Sequence, residues 1–284
     1  MTLATWIRRI TDWSFTHGRL VWGVLGAAAA AWFAIWMLFV PDAIPTFFAW
    51  NVHPRAAQLF IGAGYIFRTA FFLNAARESN WVRLRWIVWG NLAFTGTLLV
   101  ATYWHLDQFH WDILHQTPLG HIWIVLYILE PVAMIFLLPP GIFRIAADPT
   151  GGPLNRWLRA FLIAVTELLL ADGLEILANP TFAAMRWPWE LNELDSRIVA
   201  AWLLGWSVWS GTMARAADWD EIRRASQLFI LCAAALFMAF ILNRDAFLPG
   251  RGTVSGFLVA LAVMTLTMVG FYVLQERRRP VPYA

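Results

Sequence analysis

Long apolar runs dominate the chain, and short polar segments separate them. Runs of about twenty apolar residues match the roughly 30 Å hydrocarbon core of a bilayer, so the pattern predicts eight membrane spans. These spans are 20–40, 56–73, 86–104, 122–138, 160–178, 198–214, 225–242 and 254–274. Each is predicted to be a helix. The expected fold class is therefore all-α, a polytopic membrane helix bundle.

The order of polar and aromatic residues in the first half returns in the second half. Residues Arg77, Asn80, Trp81, Arg85, Asp107 and Phe109 recur with unchanged spacing as Arg215, Asp218, Trp219, Arg223, Asp245 and Phe247. Such self-similarity indicates a duplicated unit. Four spans per unit give both copies the same orientation, so we predict two parallel four-helix repeats. Residues 1–150 would hold an N-terminal interfacial helix and the first repeat, and residues 151–284 the second repeat.

The basic residues predict how the bundle is oriented. Lysine is absent, and most arginines fall on one side of the predicted bundle, including Arg8, Arg77, Arg215 and Arg277. The positive-inside rule then places both termini in the cytoplasm and the multi-pass chain in a bacterial inner membrane. Because the arginines lie scattered at span ends, no nucleic-acid partner is predicted. The lipid bilayer is the expected partner, and a protein partner or a homo-oligomer stays open.

Ionisable residues inside the predicted spans are the candidate functional residues. Glu130 lies near the middle of the fourth span, and Glu167 reaches a comparable depth in the fifth. Asp172 and Glu175 continue outward from Glu167 along one side of that helix, and Arg68 lies within the second span. Such residues are costly in lipid and often mark ion or proton routes. The leading hypothesis is a proton- or cation-coupled transporter of a small solute.

A second hypothesis comes from another functional class. The acids would then be neutral and hydrogen-bonded across helix interfaces, or Arg68 would be the structural counter-ion of one of them. On this interpretation the protein is a non-catalytic membrane subunit or an assembly factor of a larger complex. The stripe of Trp202, Trp206 and Trp209 along one helix face predicts packing rather than ligand binding.

Histidines form a second asymmetry between the halves, because all but one of the six belong to the outer face of the first half. They are His53, His105, His110, His115 and His121. Clustered imidazoles suggest a third hypothesis, a haem or transition-metal redox protein. The spacings match no diagnostic motif, and Cys232 is the single cysteine, so no cofactor is predicted. Nucleophile-elbow, phosphate-loop and dinucleotide signatures are also missing from the sequence, so nothing in it supports an enzyme.

Two sequence segments resemble a family of uncharacterised multi-pass membrane proteins from high-GC bacteria. They are the run from Ala101 to His110, ATYWHLDQFH, and the run from Trp187 to Leu191, WPWEL, which leads to Arg197. The resemblance extends over both halves. It implies the membrane architecture and carries no known activity. The segment from Glu190 to Leu194 departs from the more neutral, threonine-containing turn of that family.

Overall fold

The computed structural model describes residues 17–112, 125–132, 134, 151–247 and 252–279. The long helices are α1 (Arg19–Phe39), α3 (Arg55–Arg77), α4 (Trp81–Trp104), α6 (Arg156–Ala178), α8 (Glu193–Ala214), α9 (Trp219–Leu242) and α10 (Gly252–Arg278). The short helices are α2 (Ile44–Phe47) and α7 (Pro180–Arg186), and the helical residues 125–132 are here called α5. The part of the chain that is described contains no strand, so the all-α prediction is confirmed.

Seven of the eight predicted spans coincide, to within one residue, with stretches of the long helices. The fourth span, 122–138, contains α5 and otherwise lies outside the described residues, as do the predicted N-terminal interfacial helix and the boundary at residue 150. Within the described ranges, five helices, α1, α3, α4, α9 and α10, are long and apolar enough to cross a membrane. This composition suggests a membrane location.

The helices pack in corresponding pairs, related by an offset of 138 residues (position 77 to position 215). Helix α1 packs along α3 as α6 packs along α8. Helix α4 packs against α8, and helix α9 packs against α3. The second and third long helices of each half therefore build the contact between the halves.

Tryptophans of α8 fill the centre of this contact. Trp202 lies against Gly64 of α3 and packs at a tilt against Phe94 of α4, with ring centroids 4.2 Å apart. Trp209 lies against Gly90 of α4, where a glycine is needed because any Cβ would overlap the indole ring. Together with Trp206, these side chains are buried, as the sequence predicted.

Short polar side chains begin the equivalent helices α4 and α9. The Asn80 side chain accepts a hydrogen bond of 2.9 Å from the Val82 amide. Asp218 accepts one of 2.8 Å from the Asp220 amide, and Glu221 completes a capping box. Such caps satisfy amides that have no partner within the helix. Asn80 and Asp218 therefore act as N-terminal caps at equivalent positions of the two halves.

We predict that Gly90→Ala weakens the contact between the halves. The added Cβ would lie 1.7 Å from Cδ1 of Trp209, so the indole or α4 must shift. Overpacking of this kind costs about 1–3 kcal/mol, which thermal unfolding of the purified protein in detergent would detect as a lower Tm. Gly96→Ala on the same helix is the matched control, since its Cβ would meet nothing within 4 Å. Equal Tm values for the two variants would contradict the prediction.

Candidate functional site

A buried ion pair joins α3 to α5 within the first half. Arg68 donates from Nη2 to Oε1 of Glu130 across 2.5 Å, and both side chains are almost fully buried. Asn91 of α4 completes the cluster: its Nδ2 donates to the same Glu130 oxygen (2.8 Å), and its Oδ1 accepts from Nη1 of Arg68 (3.0 Å). Three helices thus contribute to one charge-neutral group. The structure therefore places Arg68 as the counter-ion of Glu130.

Aromatic side chains enclose this cluster. The Arg68 guanidinium lies 4.9 Å from the ring centroid of Phe72 and 4.8 Å from that of Phe94, within the range of cation–π attraction. One turn away, the hydroxyls of Tyr65 and Tyr127 are hydrogen-bonded at 2.9 Å. Both tyrosines stand three residues before the charged residue of their own helix. The result is a two-rung polar ladder between α3 and α5.

A cavity of about 160 Å³ lies beside the ladder, between α1, α3 and α5. Tyr65, Arg68, Tyr127 and Glu130 border one side of it, and apolar side chains of α1 form most of the remainder. The volume compares with a few water molecules at about 30 Å³ each. The tyrosine hydroxyls at the border of the cavity hydrogen-bond to each other, and the Arg68 and Glu130 charges are paired. It can therefore take a small apolar group without offering that group a free charge.

The second half has a larger cavity in the equivalent place, but without the ion pair. It measures about 440 Å³, and Leu203 and Trp206 line it at the positions equivalent to Tyr65 and Arg68. Its lining is otherwise almost wholly apolar, with Asp172 as the one charged residue. The same framework thus carries charge in one half and an indole in the other.

The three acids of α6 do not form a route to Glu130 in the described structure. Glu167 is exposed on α6, and among the described residues it has no hydrogen-bond or ion-pair partner. Asp172 and Glu175 both pair with Arg186 of α7, Asp172 at 3.7 Å and Glu175 more closely. No described cavity, hydrogen bond or ion pair joins Glu167 to Glu130. The two carboxyls therefore occupy different environments.

The described histidines of the predicted cluster likewise lie in different surroundings. His105 ends α4, where its ring nitrogens contact Gln108 and Arg197, and burial together with the Arg197 charge lowers its pKa. His53 is exposed and His110 is partly buried. His115 and His121 lie outside the described residues. No group of three or more His, Cys, Asp or Glu side chains is placed to hold a metal ion in the described part of the chain.

Asp195 is a buried carboxyl that sequence reasoning did not single out. It lies in the first turn of α8, ahead of the predicted span, and accepts a 3.0 Å hydrogen bond from the Trp50 indole of the first half. Asn192 donates to its other oxygen at 2.8 Å. Burial raises the pKa of Asp195 to about 7, although the hydrogen bonds from Trp50, the His53 backbone and Asn192 act in the opposite direction. The Trp50 bond links the two halves, and no local motif predicts it.

Comparison with known protein families, curated proteins and solved structures finds no match. The resemblance to an uncharacterised membrane family therefore stays a prediction. Any function must be argued from the geometry of the chain itself.

We predict that Glu130→Leu destabilises the protein strongly, by about 3–5 kcal/mol, because it leaves the buried Arg68 charge unpaired. Adding Arg68→Leu should recover much of the loss, since the double variant buries no lone charge. Denaturant unfolding in detergent would measure both effects. Glu175→Leu serves as a comparison, because a partly exposed pair contributes less than about 1 kcal/mol. A double variant that loses the full sum of the single effects would contradict the structural assignment.

We predict that Asp195 makes stability depend on pH. Its folded pKa of about 7 exceeds the unfolded value of about 4, so the folded protein holds the proton more tightly. The contribution of Asp195 is fully present below about pH 4 and is lost as the pH rises through about 7. Asp195→Asn should therefore gain stability relative to wild type across that window. Parallel Tm curves for both proteins from pH 4 to pH 8 would contradict this.

Proposed function

We propose that this chain is a non-catalytic subunit of a larger membrane complex, which holds a partner helix against the exposed face of α6. The subunit consists of eight membrane helices arranged as two parallel four-helix repeats. It lies in a bacterial inner membrane with both termini in the cytoplasm. The observation that carries the proposal is that Glu130 is locked in a neutral cluster whereas Glu167 faces outward.

Contacts between equivalent positions support the two-repeat architecture. Positions 64 and 202 are equivalent, and Gly64 touches Trp202. Positions 71 and 209 are also equivalent, and their rings lie 5.7 Å apart. Residues that contact their own counterparts are expected next to a pseudo-twofold axis. An axis along the membrane normal relates parallel repeats, so these contacts agree with the proposed orientation.

The state of Glu130 favours a packed subunit over a conducting pathway. A proton carrier must exchange its proton with water, whereas Glu130 is held by Arg68 and Asn91 under aromatic side chains. Separating this pair leaves a lone charge in a medium that solvates it poorly, which is costly. The cluster thus has the properties of a structural tie between α3, α4 and α5.

Helix α6 presents an uncovered face with a carboxyl near its middle. At 23 residues it is about 35 Å long, enough to span the hydrocarbon core. One face packs on α8, where Thr166 bonds Ser210 at 2.9 Å. The opposite face, here called the Glu167 face, is exposed and consists of Ala160, Ile163, Ala164, Glu167, Leu170, Ala171 and Leu174. Small residues on such a face permit close approach of another helix.

Charge complementarity favours, as the partner, a transmembrane helix with a basic residue at the depth of Glu167. A carboxylate in lipid costs about 2.5–3.5 kcal/mol, and such groups usually pair within protein. A second copy meeting this one face to face would oppose Glu167 with Glu167. Nor does a second copy offer a cation at that depth on the described helices, because the mid-helix Arg68 is buried and paired. A different chain with Arg or Lys satisfies the carboxylate.

The test uses a synthetic Leu/Ala transmembrane peptide with one central Arg, and the same peptide with Leu in its place. Each is reconstituted with labelled protein in phosphatidylcholine vesicles, and binding is followed by energy transfer. We expect the Arg peptide to bind about tenfold more tightly, in line with about 1–2 kcal/mol for a polar contact between membrane helices. Glu167→Leu should abolish this preference.

Glu175→Leu is the matched control, because Glu175 already pairs with Arg186 near the end of α6. It should retain the preference for the Arg peptide. Equal binding of both peptides to the wild-type protein would overturn the proposal. So would a homodimer that forms without any peptide and disappears in the Glu167→Leu variant, because it would identify a second copy as the occupant.

A further inference from the structure

A polar pocket of about 400 Å³ lies between the end of α3 and the second turn of α9. Its lining includes Arg77 and Arg224 together with the apolar side chains of Ala70, Leu73 and Leu228. The complete lining is Ala70, Leu73, Asn74, Arg77, Glu78, Arg224, Gln227 and Leu228. The lining shares no residue with the ion-pair cluster or the Glu167 face, so the pocket is a separate site.

The pocket is rich in hydrogen-bond donors that lack an acidic partner. Neither Arg77 nor Arg224 forms an ion pair within the described ranges, and Arg224 donates at 3.0 Å to the neutral Gln227 amide oxygen. The Gln227 amide nitrogen in turn donates to Tyr272 at 2.6 Å. The side-chain nitrogen of Asn74 is buried and has no hydrogen-bond partner in the described structure. Two cations and an unused amide donor thus share one concavity.

The one acid of the pocket is engaged away from these donors. One carboxylate oxygen of Glu78 accepts from the Asn80 amide at 2.9 Å, and the other lies 3.7 Å from Arg83. Its backbone carbonyl accepts from Arg19. Glu78 therefore forms no described ion pair with Arg77 or Arg224, and a lining with two arginines and one acid is net positive, which favours an anion.

The duplicated scaffold does not require this set of residues. At the equivalent positions the chain has Thr212 for Asn74, Trp86 for Arg224 and Trp89 for Gln227, whereas Arg215 matches Arg77. Shared residues are explained by a shared fold, and Arg77 belongs to that class. The second arginine and both amides belong to one copy alone, which indicates a local role.

We infer that this pocket binds a phosphate group. Arginine matches the oxygens of phosphate in a fixed fork geometry, and Asn74 contributes a neutral amide donor beside the two arginines. Basic pockets between membrane helices suit lipid headgroups. The apolar lining residues Ala70, Leu73 and Leu228 would accommodate a glycerol backbone or the first methylenes of a lipid. A free phosphate offers the same oxygens without the apolar part.

The test measures binding to the full chain in neutral detergent by native mass spectrometry and by the shift in Tm. Three probes are compared: dioctanoyl phosphatidylglycerol, dioctanoyl phosphatidylcholine and inorganic phosphate. We expect phosphatidylglycerol to bind at least about tenfold more tightly than phosphatidylcholine, with a loss of at least tenfold in Arg77→Gln/Arg224→Gln. If inorganic phosphate shows the same dependence on the two arginines, the natural source is a soluble phosphate. If it does not bind, the source is a lipid.

Arg277→Gln/Arg278→Gln is the matched control, because it removes the same charge from exposed arginines in the last turn of α10. It should bind phosphatidylglycerol like the wild type. Equal losses in both double variants would overturn the inference, since they would show diffuse attraction to net charge. Equal binding of the two lipids would overturn it as well. All three proteins should have the same Tm without a probe, which excludes misfolding as the cause of lost binding.

Discussion

The contact between the α8 tryptophans and the glycines of α3 and α4 is the constraint on which the rest of the structure depends. Trp202 occupies the space above Gly64, and Trp209 occupies the space above Gly90. In lipid there is little hydrophobic driving force between helices, so close van der Waals packing must hold them together. An indole ring that lies directly against the backbone of a glycine maximises that van der Waals contact. It brings α8 close to α3 and α4, and the Trp50–Asp195 hydrogen bond then ties the halves together near the start of α8.

The second consequence of this framework is that equivalent positions can hold different chemistry. Arg68 and Trp206 are separated by the same 138 residues that relate the recurring residues of the two halves, and each is buried beside a cavity. Arg68 requires a carboxylate and an amide from two other helices, whereas an indole packs without a counter-charge. The helix pairs α1–α3 and α6–α8 nevertheless pack in the same way. Backbone packing therefore sets the arrangement of the helices in both halves, whereas the buried polar side chains differ between the halves.

Much of the helical framework was predictable, because apolar length and capping residues are local properties. Asn80 and Asp218, short polar side chains that directly precede α4 and α9, cap those helices. The pairing of Arg68 with Glu130 was considered among the alternatives, but Asn91 and the two tyrosines were missed, because a lone amide in an apolar run gives no signal. The signal that existed was the spacing of Tyr65 to Arg68 and of Tyr127 to Glu130. Depth could be counted along each helix, whereas the direction of Glu167 depends on which face of α6 meets α8.

That direction changes the meaning of the intramembrane acids. Glu130 and Glu167 have comparable predicted depths, and depth alone suggested one shared route. In the structure the Glu130 carboxylate is paired with Arg68 and hydrogen-bonded to Asn91. These two contacts offset the free-energy cost of placing its charge in lipid. Glu167 has no such compensation among the described residues, yet its neighbours on α6 are small or apolar. An uncompensated carboxyl on an otherwise lipid-compatible face is stable if it is protonated or covered, and a cationic helix provides the cover without the loss of charge.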